Sequence, residues 1–160
     1  MTYWLYLTVG WPTLIQGYVI GLFSLMFGLT RKPRFDGPVL ATDWRPWVEK
    51  RYNFTTTIGA WQGRASWFNE TTRYHEAVHL RQYIDLNTIG AILGAALIPW
   101  IGWQGALILW ATSGAPWLLP LFVTAVIRYK RGGVSWMDAA YMGTEHELSA
   151  YAQTALRFRV

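Results

Sequence analysis

Charge and apolarity divide the chain into four blocks. Residues 1–30 and 87–127 carry no charged side chain, and each stretch ends in a basic cluster: Arg31, Lys32 and Arg34 after the first, Arg128, Lys130 and Arg131 after the second. A hydrocarbon core about 30 Å thick takes about 20 apolar residues as helix. Tyr3 to Leu29 has that length, with Pro12 and Gln16 weakening its outer part and Tyr18 to Leu29 forming a solid apolar run. The second stretch is long enough for a helical hairpin. Pro99, Gly102 and Gly105 mark one turn, Ser113-Gly114-Ala115-Pro116 another, and Pro116 and Pro120 would bend any helix that holds them.

The polar blocks read differently. Val39 to Thr42 and Tyr52 to Ile58 are β-branched and aromatic, bounded by Asp36-Gly37-Pro38 and Gly59, and predict two short strands paired antiparallel. From Asn69 the pattern turns helical, with Asn69 or Thr71 as N-cap. A further helix is expected from Ser135 through Gln153, after the Gly132-Gly133 breaker, with Ser135 or Thr144 as cap. The fold class expected is α+β and mostly helical. It is read as one domain over 1–160, with 1–30 as an N-terminal membrane anchor and 87–127 as an apolar hairpin insert.

If both charge-free stretches are membrane segments, their basic ends give one consistent topology under the positive-inside rule. The N-terminus lies outside, and 31–86 and 128–160 face the cytoplasm. Trp100, Trp103, Trp110 and Trp117 suit interfacial belts. The alternative is a small soluble or virion-associated domain that hides the hairpin in its core. No basic n-region precedes the first apolar run and no small-residue cleavage site precedes Arg31, so a cleaved signal peptide is not expected.

Composition narrows the function classes. The chain is 52% hydrophobic and 14% charged, which is the opposite of a disordered chain. With no cysteine, disulfide frameworks, Cys-based zinc sites and thiol nucleophiles are excluded together. The net charge of +5 favours an anionic neighbour without separating lipid headgroups from nucleic acid. The basic residues cluster beside apolar stretches rather than along one face, which disfavours nucleic acid. Gly90-x-x-x-Gly94 fits either a helix-contact face or chance spacing. Trp44, Trp47, Trp61 and Trp67 fit a substrate-side surface or plain core. Asn53-Phe-Thr55 and Asn69-Glu-Thr71 match glycosylation sequons and are read as structural, because this topology keeps them cytoplasmic.

The chemistry concentrates in Arg73-Tyr74-His75-Glu76-Ala77-Val78-His79-Leu80, which contains H-E-x-x-H. Positions i and i+4 share a helix face, so His75 and His79 can hold one metal ion together. Glu76 sits one position round the helix, where a carboxylate can take a proton from water at the ion without ligating it. Two of the three histidines lie here, flanked by the apolar Ala77, Val78 and Leu80. Burying two imidazoles and a carboxylate without an ion would be expensive. A catalytic zinc site takes three protein ligands and leaves one position open. Glu145, His146 and Glu147 are the candidates for the third. His146 points about 100° away from Glu147 on a helix, so the two cannot easily share a metal.

H-E-x-x-H on one helix and Glu147-x-x-Ala150-Tyr151 on a later one resemble the gluzincin metallopeptidases, in the short form of the minigluzincins and small bacterial and phage proteins akin to them. The resemblance implies a zincin-like fold, a zinc ion held by His75, His79 and Glu147, Glu76 as general base, and a protein or peptide substrate. Tyr151 stands where membrane gluzincins such as the prenyl-protein proteases carry an Asp that supports a ligating His. Asp85 and Asp138 are the candidates to replace that support, and Tyr151, Tyr141 and Tyr74 those to donate a hydrogen bond to an oxyanion. The competing reading is a non-catalytic membrane- or virion-associated structural protein in which the ion only joins two helices. Glu76, which a structural site does not need, favours catalysis.

Overall fold

The computed structural model describes residues 10–52, 54–113, 118–132 and 145–158. The chain is mixed α+β and mostly helical. The elements are α1 (Trp11–Met26), β1 (Thr30–Asp36), β2 (Val39–Trp44), α2 (Pro46–Tyr52), β3 (Thr56–Ile58), β4 (Trp61–Arg64), α3 (Glu70–Thr112), α4 (Leu118–Arg131) and α5 (Glu145–Phe158).

The sheet has four strands in the order β1-β2-β4-β3, not the two that the sequence pattern predicts. The two predicted strands, β2 and β3, do not pair with each other. β4 lies between them, parallel to β2 and antiparallel to β3. Both extra strands lack apolar alternation, for different reasons. β1 is an edge strand holding the Arg31-Lys32-Arg34 cluster, with a register shift between Arg31 and Arg34, and charged side chains protect such an edge from further pairing. β4 is buried along its length although Gln62 and Arg64 are polar. Its polar groups are partnered: Arg64 bonds Gln62 at 2.6 Å and Asp36 at 2.9 Å, and the Trp61 indole donates to Thr42 Oγ1 at 2.9 Å.

Helix α1 lies across the sheet on its small residues. Pro12, Thr13, Gly17, Gly21 and Ser24 are buried. Ala60 N–H, in the β3–β4 turn, donates to the Thr13 carbonyl at 3.0 Å. A Cβ on Gly17 would lie 2.2 Å from Ala60 N, so only glycine permits this approach. The core beneath is Leu40, Trp44, Val48, Trp61 and Ala65. Trp44 and Trp61 are therefore core, whereas Trp47 and Trp67 are exposed.

Asn69 caps α3 as expected, its side chain accepting from Thr72 N–H at 3.0 Å. From there α3 runs through the H-E-x-x-H segment and straight on into the charge-free stretch. At Gly102 (φ 68°, ψ 170°) the helix breaks and the chain doubles back. The Gly102 conformation is one that L side chains adopt rarely. On the returning leg Ala106 lies against Gly94, and Ser113 against Gly90, with no room for a Cβ on either glycine. The spacing Gly90-x-x-x-Gly94 thus marks a helix contact. The second marked turn and Trp117 lie outside the described residues, as do Ser135, Asp138, Tyr141 and Thr144. Helix α5 continues past Gln153, to Phe158.

Candidate metal centre

His75 and His79 lie one turn apart on the buried face of α3. Helix α5 approaches that face on Glu147, Ala150 and Thr154, which repeat at helical spacing and are all buried. Ala150, fully buried, leaves no bulk between the helices, so the Glu147 carboxylate reaches both rings. His75 Nε2 is 3.1 Å from Glu147 Oε2, His79 Nε2 is 3.2 Å from Glu147 Oε1, and the two Nε2 atoms are 3.1 Å apart. Among the described side chains, the third-ligand candidate brought to the pair is thus Glu147. The side chains of Glu145 and His146 lie outside the described residues.

These separations bear on what the cluster can hold. A tetrahedral zinc ion with bonds of about 2.0–2.1 Å spaces its ligand atoms by about 3.3–3.4 Å. The Nε2 pair and each nitrogen's contact to its own Glu147 oxygen are within a few tenths of an ångström of that, and taking one ligand atom from each residue, the three lie within 4.8 Å of one another. Gln82 adds a further constraint. Its Oε1 lies 3.0 Å from His79 Nδ1, and an amide oxygen accepts, so with the amide in this orientation Nδ1 donates to it and Nε2 is the nitrogen that faces the cluster. The His79-x-x-Gln82 spacing was readable in the sequence as an i, i+3 pair. His75 Nδ1 is buried with no hydrogen-bond partner among the described residues. The Tyr151 ring packs against the His75 ring, 4.5 Å between centroids.

Glu76 is 3% exposed. Burial pushes its pKa up, against a hydrogen bond with Thr57 and the two imidazoles, which pull it down. Its Oε2 has no hydrogen-bond partner among the described residues. Thr57 sits on β3 and also receives Gln62 Nε2–H at 3.4 Å, so a polar chain Arg64–Gln62–Thr57 supports the carboxylate from beneath. Nothing in the sequence singled out Thr57. The outer side of the cluster opens on a cavity of about 520 Å³, mostly apolar, bounded by His75, Glu76, Phe54, Trp67, Tyr151 and Thr154. The Tyr151 hydroxyl has its pKa raised by burial and by the Glu147 and Glu76 carboxylates, which keeps it a donor. Tyr74 stacks under the Arg157 guanidinium at 4.6 Å and does not line the cavity. Asp85 is exposed beside Arg81 and supports neither ligand. With this geometry in view, comparison with known proteins adds no relative: no family model, curated protein or solved structure matches the chain.

The electrostatics couple the three groups. Burial raises the Glu147 pKa, but hydrogen bonds and charge from His75 and His79 outweigh it and bring it to about 2. Burial lowers that of His79, but Glu147 and Glu76 outweigh it and the net shift is upward. The pair thus favours a proton on His79 beside an ionised Glu147. The stability this raised histidine gives the metal-stripped protein is present in full below its unfolded value near 6.5. It is lost as pH rises through the folded value. An ion must displace that proton. Zinc uptake near pH 7 is therefore expected to release protons, read as a binding enthalpy that changes with the ionisation heat of the buffer. An enthalpy independent of buffer would contradict proton displacement.

Proposed function

We propose that this chain is a zinc-dependent peptidase that hydrolyses peptide bonds at the His75–His79–Glu147 cluster. The observation that carries the reading is the meeting of two imidazole nitrogens and one carboxylate at 3.1–3.2 Å, beside a buried carboxylate that ligates nothing and lines a cavity. The donor set of two imidazoles and a carboxylate suits zinc. Zinc, when bound, supplies a Lewis acid for the scissile carbonyl and makes water acidic enough to react near neutral pH.

The remaining work falls to side chains. Glu76, its basicity raised by burial, takes a proton from the attacking water at Oε2 and passes it to the leaving amine. Thr57 holds the other side of that carboxylate in place. Tyr151, kept protonated, stands at the cavity wall as a donor for the oxygen on which charge develops. The apolar walls contributed by Phe54 and Trp67 seat a substrate side chain and exclude water.

One observation favours the structural reading: all three ligands are buried and join α3 to α5, as a closed structural site would. The two readings separate on chelation. The proposal expects peptide hydrolysis to stop when a chelator strips the protein and to return with zinc. Hydrolysis that persists after the metal is removed, or none by zinc-loaded protein, would sink it.

A further inference from the structure

The helical hairpin beyond the metal centre packs inside out. Its inward positions are Asn87, Gly90 and Gly94, all buried. Its large apolar residues face outward, among them Ile92, Leu93, Ile98, Ile108 and the turn residues Trp100 (78% exposed) and Trp103. A helix buried in a water-soluble core does the reverse. Only 6% of the most apolar 18-residue window of α3 is buried.

Contact through glycines, reinforced by interhelical hydrogen bonds, is how helices pack in lipid. Both features occur here. Gly90 and Gly94 admit the returning leg, and a buried polar clamp closes the base of the hairpin. In it Thr13 Oγ1 donates to Asn87 Oδ1, Asn87 Nδ2 to Ser113 Oγ at 2.9 Å, and Ser113 Oγ to the Trp110 carbonyl at 2.7 Å. Helix α1 repeats the pattern beside it, small residues buried and Ile15, Leu22, Phe23 and Met26 exposed.

We infer that this hairpin crosses a lipid bilayer, with Asn87 and Ser113 at the near face and the Trp100–Trp103 turn at the far headgroups. The outgoing leg, 87–101, is about 22 Å long. Indoles at its tip and slight thinning of the bilayer make up the rest of a hydrocarbon core of about 30 Å. Placing the turn among headgroups lets the backbone freed at Gly102 meet water, which it could not in hydrocarbon. Charged residues resume at Asp85 on one side and at Arg128, Lys130 and Arg131 on the other, so the near face is the cytoplasmic one, rich in anionic lipid.

Since α3 is unbroken from His75 to Gly102, it fixes the height of the cluster. His79 and Asn87 are eight positions apart on this helix, about 12 Å. If the peptidase reading holds, on which this last step rests, the bonds within reach are those just outside a substrate's own membrane segment.

The chain has no cysteine, so single cysteines report without background. Full-length Gln104→Cys, Ile92→Cys and Arg131→Cys would be expressed in bacteria and treated with a membrane-impermeant maleimide in right-side-out and inverted vesicles. The inference expects Gln104→Cys to label only from the outer side and Arg131→Cys only from the inner. Ile92→Cys should label only after detergent is added. Labelling of Gln104→Cys and Arg131→Cys from the same side overturns it. So does free labelling of Ile92→Cys in intact vesicles, or recovery of the chain in the soluble fraction as an oligomer closed through the hairpin. These readouts need no hydrolysis, so they stand or fall apart from the peptidase reading.

Discussion

Glu76→Gln is expected to lower peptide hydrolysis by about 10²–10⁴-fold while leaving bound zinc and the fold unchanged. Gln keeps the size of the side chain and an oxygen to accept from Thr57, but it cannot hold the proton that water must give up. Glu76 is not among the three groups placed to hold a metal ion, so metal content should not follow activity down. Stability should move the other way. Burial raises the Glu76 pKa, so in the metal-stripped protein its ionisation works against folding. That penalty is absent below the unfolded value and grows as pH rises above it. The Gln variant should therefore unfold at a higher temperature than the stripped parent at neutral pH, which is the usual trade between stability and function at a site. Undiminished hydrolysis by Glu76→Gln would remove Glu76 from the mechanism.

The second large effect is expected at Glu147. It is 4% exposed and meets both imidazoles, so Glu147→Ala leaves a buried, partly charged ring system with only the Glu76 carboxylate as counter-charge. Breaking a buried pair in this way costs about 3–5 kcal/mol, and the zinc ligand is lost as well. Glu147→Gln separates the two contributions, since it keeps the volume between α3 and α5 while removing the charge. The account expects both variants to unfold at lower temperature in the stripped state, Ala more than Gln, and both to lose zinc. The ion pair also sets an acid limit. Glu147 contributes stability that is present above its unfolded value near 4.3 and lost as pH falls through about 2, so the parent should lose stability over that range and the Gln variant much less.

How much of this was legible in the sequence depends on how local each signal is. The i, i+4 histidines and the Asn69 cap are local, and both stand where the pattern puts them. The selection of Glu147 over its neighbours came from resemblance, and the structure places Glu147 against the two imidazoles. Among the described side chains of α5, the buried ones are Glu147, Ala150 and Thr154, and Ala150 is small enough to bring the carboxylate in. The sheet was half legible. β2 and β3 carry β-branched residues, but β1 is a charged edge and β4 is polar, its groups satisfied by Asp36 and Thr42 from other strands. Such long-range partners leave no periodicity to read. Thr57 was missed for the same reason: its role exists only because β3 passes beneath α3. The break at Gly102 was marked by composition. That its outgoing leg is the same helix as the H-E-x-x-H segment was not, because no residue between Asp85 and Asn87 interrupts or continues a helix in any distinctive way.

The account depends on one cation joining the middle of the chain to its end. Zinc per chain, measured by elemental analysis on purified full-length protein beside Glu147→Ala, tests this most directly. The account predicts one zinc ion per parent chain, retained through dialysis, and little or none in the variant. Equal metal in the two proteins, or none in either after zinc loading, would contradict it.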